Sequence, residues 1–128
     1  MTRWNRRGAN AVEFALTLPM MFLGIAAVVD YGLYFTERGH IYQATLEGVR
    51  AGAVAQDGNA NAVAAAEAQC DDVLADFGVT GASCDGSLTT ANFEDVVQLD
   101  VTYTYNGVVA PLTMPDINFT MAMRLEDP

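Results

Sequence analysis

The sequence predicts an α+β chain, with one long N-terminal helix, a second short helix and a small antiparallel β-sheet. Three observations carry this expectation. From Phe14 to Val29 the residues are apolar apart from Thr17 and Pro19, a run too long for a strand and long enough for a buried or membrane helix. Beyond Asp30 apolar residues keep recurring at three- and four-residue steps as far as Ala53. Toward the C-terminal end two stretches alternate apolar and polar residues, the period of a strand with one covered face.

The first helix is expected to run without a break from about Ala9 to Ala55. Its stretch from Phe14 to Phe35 would be roughly 33 Å long at about 1.5 Å per residue, enough to cross a bilayer core. Pro19 removes one backbone hydrogen bond and is a candidate helix kink, which membrane spans tolerate. Asp30 marks the outer limit of the apolar stretch, and Tyr31, Tyr34 and Phe35 follow it as an aromatic belt. Tyr31, Tyr34, Phe35, Ile41, Tyr42, Leu46, Val49 and Ala53 then continue the helical period, with Glu37, His40, Gln43, Glu47 and Arg50 on the rest of the circumference. The turn residues Gln56-Asp57-Gly58-Asn59 end this helix.

Asn59 or Asn61 can cap a second helix. Its inner face would be Val63, Ala66, Cys70, Val73, Leu74 and Phe77, and Gly78 is placed to terminate it. The segment from Gly78 to Ala91 is rich in Gly, Ser and Thr and reads as a surface loop pinned by Cys84. Val97, Leu99, Val101, Tyr103 and Tyr105 alternate with polar residues in a first strand. Asn106-Gly107 is a turn signal, and Pro111 and Pro115 break the connection. Ile117, Phe119, Met121, Met123 and Leu125 alternate in a last strand. A helix laid on one face of an antiparallel sheet is the economical arrangement.

Charge divides the chain as sharply as hydropathy does. Arg3, Arg6 and Arg7 are half of its six basic residues and precede Gly8, whereas all sixteen acids follow it. The formal charge is -10, and losing residues 1–8 would make the chain three charges more negative. Basic residues stay on the cytoplasmic side of a first span. The organisation expected is therefore a basic leader over 1–8, a transmembrane helix over 9–35 and an acidic α+β domain over 36–128 on the far side. That acidic remainder has no basic stripe, so nucleic acid is not a partner. On the far side of the membrane Cys70 and Cys84 would meet an oxidising compartment, where one disulfide is the natural reading and two separate buried thiols the alternative. Two cysteines and the single His40 are too few for a zinc site. Asp71, Asp72 and Asp76 lack the spacing of a calcium loop and read as a solvated helix face. Neither a metal nor any other cofactor is expected.

Enzymatic chemistry is poorly provided for. The chain has one histidine, no lysine, and Ser83 and Ser87 as its only serines. No glycine-rich phosphate loop follows a strand and opens a helix.

The informative segment is RRGANAVEFALTLP, residues 6–19. Glu13 sits at the inner edge of the apolar run, where a carboxylate is costly and marks function provided a partner exists. Cleavage between Gly8 and Ala9 would supply one, since the new α-amino group is positively charged at neutral pH. Glu13 would then be the fifth residue of the processed chain.

This segment resembles the class III signal of type IV pilin-like proteins. With Asp30-Tyr31-Gly32 and Leu46-Glu47-Gly48-Val49-Arg50-Ala51 it is similar, more closely, to the TadE-like family of tight-adherence pilus pseudopilins. The likeness covers roughly the first 55 residues, and it departs from the family in having Asp30 where glutamate is commoner. It implies cleavage after Gly8 by a prepilin peptidase, an assembly role for Glu13 and Phe14, and a periplasmic pilin-like domain over 36–128. It further implies a minor pilin in the bacterial inner membrane, crossing once. Its partners would be other pilin or pseudopilin subunits, the Tad inner-membrane platform and the membrane itself. Two other readings stand beside it. Residues 1–29 could be an ordinary signal peptide cut near Ala26 or Ala27. The chain could also be a membrane-anchored periplasmic binding module that does not polymerise, using the Tyr103-Thr104-Tyr105 face or a sheet edge.

Overall fold

The computed structural model describes residues 6–55, 59–91, 94–107 and 114–125. Trp4, the turn at 56–58 and Pro111 lie outside these. Helix α1 (Arg6–Val54) is followed by α2 (Asn59–Asp76), β1 (Ser83–Ala91), β2 (Glu94–Tyr103) and β3 (Ile117–Arg124). The strands form one antiparallel sheet in the order β1-β2-β3. Both helices pack on the same face of it, α2 over β1 and α1 over β2 and β3. The fold is α+β, with a long apolar first helix, a short second one and a three-stranded sheet.

The 49 residues of α1 do two jobs. From Asn10 to Val29 the side chains lie outside the domain, mostly exposed. Among the described residues this is the one helix apolar and long enough to cross a membrane. From Asp30 onward one side of α1 turns into the core, where Tyr34, Ile41, Ala44, Thr45, Val49 and Ala53 are buried. The hydroxyl of Thr45 is satisfied inside the helix by donating to the Ile41 carbonyl at 2.7 Å, so a polar residue enters the core without an unmet hydrogen bond.

The two helices meet backbone to backbone. A Cβ on Gly48 would stand 2.7 Å from the carbonyl oxygen of Ala66, and one on Gly52 would stand 2.8 Å from that of Ala62. The same device admits β1. Gly86 donates its amide to Glu67 Oε1 at 2.8 Å, and a Cβ there would meet Val63 Cγ1 at 2.8 Å. Cys70 of α2 and Cys84 of β1 are joined in a disulfide. α2 ends with Gly78 at φ +70, its amide donating to the Ala75 carbonyl while Val79 donates to that of Leu74. This is the pair of bonds of a Schellman cap.

On the covered face of the sheet Val97, Leu99 and Val101 are fully buried, opposite Met123, Met121 and Phe119 in register. On the other face Gln98, Asp100 and Thr102 point away from the helices. Gln98 and Thr120 donate to Asp100, and the Ser83 and Thr102 hydroxyls pair.

The structure departs from the sequence reading in four places. Residues 83–91 are not loop: they form edge strand β1, paired with β2 from Ser83↔Thr102 to Ala91↔Glu94. An edge strand with one wet face accommodates polar residues and shields its free side with them. Asp30, at the end of the exposed apolar stretch, is not on an open surface but fully buried under the domain. The aromatic belt divides accordingly: Tyr34 is buried edge-on against Tyr105, while Tyr31 and Phe35 stay exposed. Ala62 of α2 is buried, whereas Phe77, just past the end of α2, remains exposed, stacked flat on His40 at 4.2 Å between ring centroids.

Candidate functional site

The segment that the sequence singles out occupies the first turns of α1, clear of every other element. Gly8 is exposed, with nothing within 4 Å of where its Cβ would be. Glu13 and Phe14 are exposed too. Among the described residues Glu13 has no hydrogen-bond or ion-pair partner, and it stands at the start of the exposed apolar run that begins with Phe14. The helix continues through Pro19. Nearby the Thr17 hydroxyl donates to the Phe14 carbonyl at 3.1 Å, which keeps that hydroxyl satisfied in an apolar medium. Gly8, Glu13, Phe14 and Pro19 thus share one bare helical end. Cys70 and Cys84 belong to the domain and meet none of them.

A second polar centre, absent from the sequence reading, lies where α1 enters the domain. The Tyr103 hydroxyl lies beside the Glu37 carboxylate, and burial first, then hydrogen bonding with Glu37 and its charge, push the phenol up to about 12. The second oxygen of Glu37, Oε2, is buried with no hydrogen-bond partner among the described residues. Tyr105 is buried and reaches the Asp30 carbonyl with its hydroxyl at 3.4 Å. Its own phenol is raised, by burial first and then by the charges of Asp30 and Glu37. Tyr103 and Tyr105 therefore fasten the sheet to the helix and do not form an open recognition face. One signal could have located this centre: Asp30, Tyr34, Glu37 and Ile41 follow one another at four-, three- and four-residue steps, so the acids share a helix face with core residues.

Elsewhere the charged groups are ordinary. Arg50 pairs with Glu47 at 3.4 Å and Arg124 with Glu94 at 3.1 Å, all well exposed. Asp71, Asp72 and Asp76 are exposed on α2. No group of three or more potential metal ligands comes together among the described residues. The open groove lined by Ser83, Thr102, Thr104, Asp116 and Asn118 is polar, and the Thr104 hydroxyl in it donates to Asp116 at 2.9 Å.

Compared with known proteins, residues 8–50 match the model of one family, described as TadE-like protein. The matched stretch begins at Gly8 and takes in Glu13, Pro19, Asp30 and the Gly48–Arg50 step of α1. It stops short of α2 and the sheet. No curated protein and no solved structure matches the chain.

Proposed function

We infer from this TadE-like helix that the chain is a minor-pilin-like protein of a tight-adherence (Tad) pilus system, anchored by a single apolar span. More specifically, a prepilin peptidase cuts between Gly8 and Ala9, and the shortened subunit assists pilus assembly from the inner membrane with its acidic domain in the periplasm. One observation carries this reading. Glu13 stands within the apolar part of α1, and nothing described in its own chain neutralises it. A carboxylate at the centre of a membrane helix costs about 2.5–3.5 kcal/mol, and less toward an end. A counter-ion from another molecule removes that cost, and the α-amino group freed at Ala9 of a neighbouring subunit is of the right sign and at the right depth. In a medium of low dielectric such a pair is worth several times what it is worth at a surface.

Amino-terminal sequencing of the protein extracted from membranes tests the reading directly. Cells that contain the peptidase should yield Ala9 as the first residue, and Gly8→Arg should leave the leader in place while inserting normally. Recovery of Met1 or Thr2 from such cells, or normal pilus levels with Glu13→Ala, would sink the assembly role. Either result would point instead to an anchored module that does not polymerise.

A further inference from the structure

The free edge of β1 is closed in its middle by a side chain from α2. In an antiparallel pair, alternate residues turn both backbone groups toward the partner strand and the others turn both away. The register fixes which do which. Just past β3, the Leu125 amide donates to the Asp95 carbonyl at 3.1 Å, so the odd-numbered residues of β2 bond toward β3. The even-numbered ones bond toward β1, where they meet Ser83, Asp85, Ser87, Thr89 and Ala91. Cys84, Gly86, Leu88 and Thr90 are left with their amides and carbonyls turned outward. Gly86 agrees with this parity, since its amide donates to Glu67 Oε1 at 2.8 Å and not to β2.

Little else on β1 would turn another strand away. It is nine residues long and pairs with β2 one to one, without a bulge. Its sequence SCDGSLTTA has no proline and no basic residue, and Asp85 is its single charge. At the opposite edge, β3 contains Arg124 and follows Pro115 by two residues. Prolines, charges and bulges are the devices that protect natural edges from pairing. On β1 the carboxylate of Glu67 replaces them. An acceptor 2.8 Å from an outward amide stands where the carbonyl of an added strand would have to be. Its placement is built into both elements. Cys70, three residues further along α2, is bonded to Cys84, two residues before Gly86, which sets the helix on the strand. Gly86 makes the room, because a Cβ there would stand 3.1 Å from Oε1 and 3.2 Å from Cγ of Glu67.

We propose that Glu67 is an inhibitory cap on the β1 edge, which keeps a second copy of the chain from adding its own β1 there. Without the carboxylate, Gly86, Leu88 and Thr90 offer a continuous row of outward donors and acceptors. The strand best matched to that row is β1 itself. In an antiparallel pair centred on Ser87, Gly86 faces Leu88 of the other copy and Asp85 faces Thr89, so the two aspartates do not meet. Threonines on both sides suit a strand pair. The cap belongs to the domain alone and holds whether or not the chain is cleaved or joins a pilus.

Light scattering after size exclusion, with hydrogen–deuterium exchange resolved to β1, tests this on the full-length protein in detergent at neutral pH. Glu67→Ala should raise the protein mass per particle to a multiple of the parent's and slow exchange of the Leu88 and Thr90 amides several-fold. Glu67→Asp, one methylene shorter, withdraws the carboxylate while keeping its charge, and should act in the same direction. Glu67→Gln keeps an oxygen that accepts from Gly86 and should match the parent. Adding Leu88→Lys to Glu67→Ala puts a charge on the bare edge and should return the particle to parental size. Circular dichroism identifies the folded variants. Parental size in a folded Ala or Asp variant, or an association that Leu88→Lys leaves intact, would overturn the proposal. So would loss of the fold in both variants, which would make the contact structural and not inhibitory.

Discussion

Glu13 and Glu37 are acids on the same helix, twenty-four residues apart, and their surroundings set them opposite problems. Glu13 is exposed near the start of the helix and has no partner among the described residues. Glu37 is held beside the Tyr103 hydroxyl of its own chain, whose phenol resists ionisation. The sign of the resulting pH dependence follows. The folded state holds the Tyr103 proton up to about 12, whereas an unfolded chain releases it near about 10. A group bound more tightly to its proton when folded contributes fully below the unfolded pKa, and that contribution disappears as pH rises through the folded one. Tyr105 is shifted in the same direction. The thermal midpoint of the full chain in detergent should therefore be flat from neutrality to about pH 9.5 and fall between about 10 and 12. Tyr103→Phe should shrink that fall. At neutral pH it should cost about 1–3 kcal/mol, because a half-buried carboxylate loses its donor. An alkaline fall of unchanged size in Tyr103→Phe would place the titrating group elsewhere.

Between elements, glycines decide how closely α1, α2 and β1 approach. Gly48 and Gly52 sit one turn apart where α1 presses on the α2 backbone, while Gly39 on the same helix faces open space. The two environments predict opposite signs for one substitution. Gly48→Ala should lower stability by about 1–3 kcal/mol, since its Cβ would meet a backbone carbonyl that cannot turn aside. Gly39→Ala should raise it by about 0.5–1 kcal/mol through helix propensity alone. Thermal denaturation of the two variants beside the parent checks the contrast, and equal shifts of the same sign would refute the tight helix contact. Such contacts were only partly legible in the residues. β2 and β3 announce themselves because each buries one face, so Val97, Leu99 and Val101 or Phe119, Met121 and Met123 alternate cleanly with polar neighbours. β1 does not, because its inward positions are Cys84, Gly86 and Leu88: a bonded thiol, a bare backbone and one aliphatic side chain. α1 was visible as a long helix from hydropathy and period. The burial of Asp30 and the Glu37–Tyr103 bond were not, since both depend on a sheet some seventy residues away folding back onto the helix. The bare end bearing Gly8 and Glu13 was legible for the converse reason: its meaning lies in local spacing and charge, with no tertiary contact to infer.

At the scale of the whole molecule, α1 is both an apolar helix long enough to serve as an anchor and the largest single contributor to the domain's core, so the two parts do not separate at the edge of the apolar run. The sheet's covered face has only α2 over β1, and α1 supplies the cover for β2 and β3. Contacts between the domain and α1 extend down to Asp30 and Tyr34, through Tyr105. This places the start of the folding unit near residue 30, inside the segment whose hydropathy alone assigns it to the membrane. A fragment spanning 30–128 should then be folded and unfold in one cooperative transition, with the Cys70–Cys84 disulfide intact. One spanning 36–128 loses Tyr34, whose ring packs on Tyr105, and should unfold at a lower temperature. One spanning 56–128 retains α2 and all three strands but exposes Ile117, Val97, Leu99 and Val101 where α1 lay. Uncovering that much apolar surface in a sheet of three strands leaves too little core for an independent fold. Circular dichroism through a thermal ramp distinguishes the three. A cooperative transition in 56–128 would mean that the helix merely lies against a self-sufficient domain, and that α1 could be exchanged for any other anchor without loss of structure.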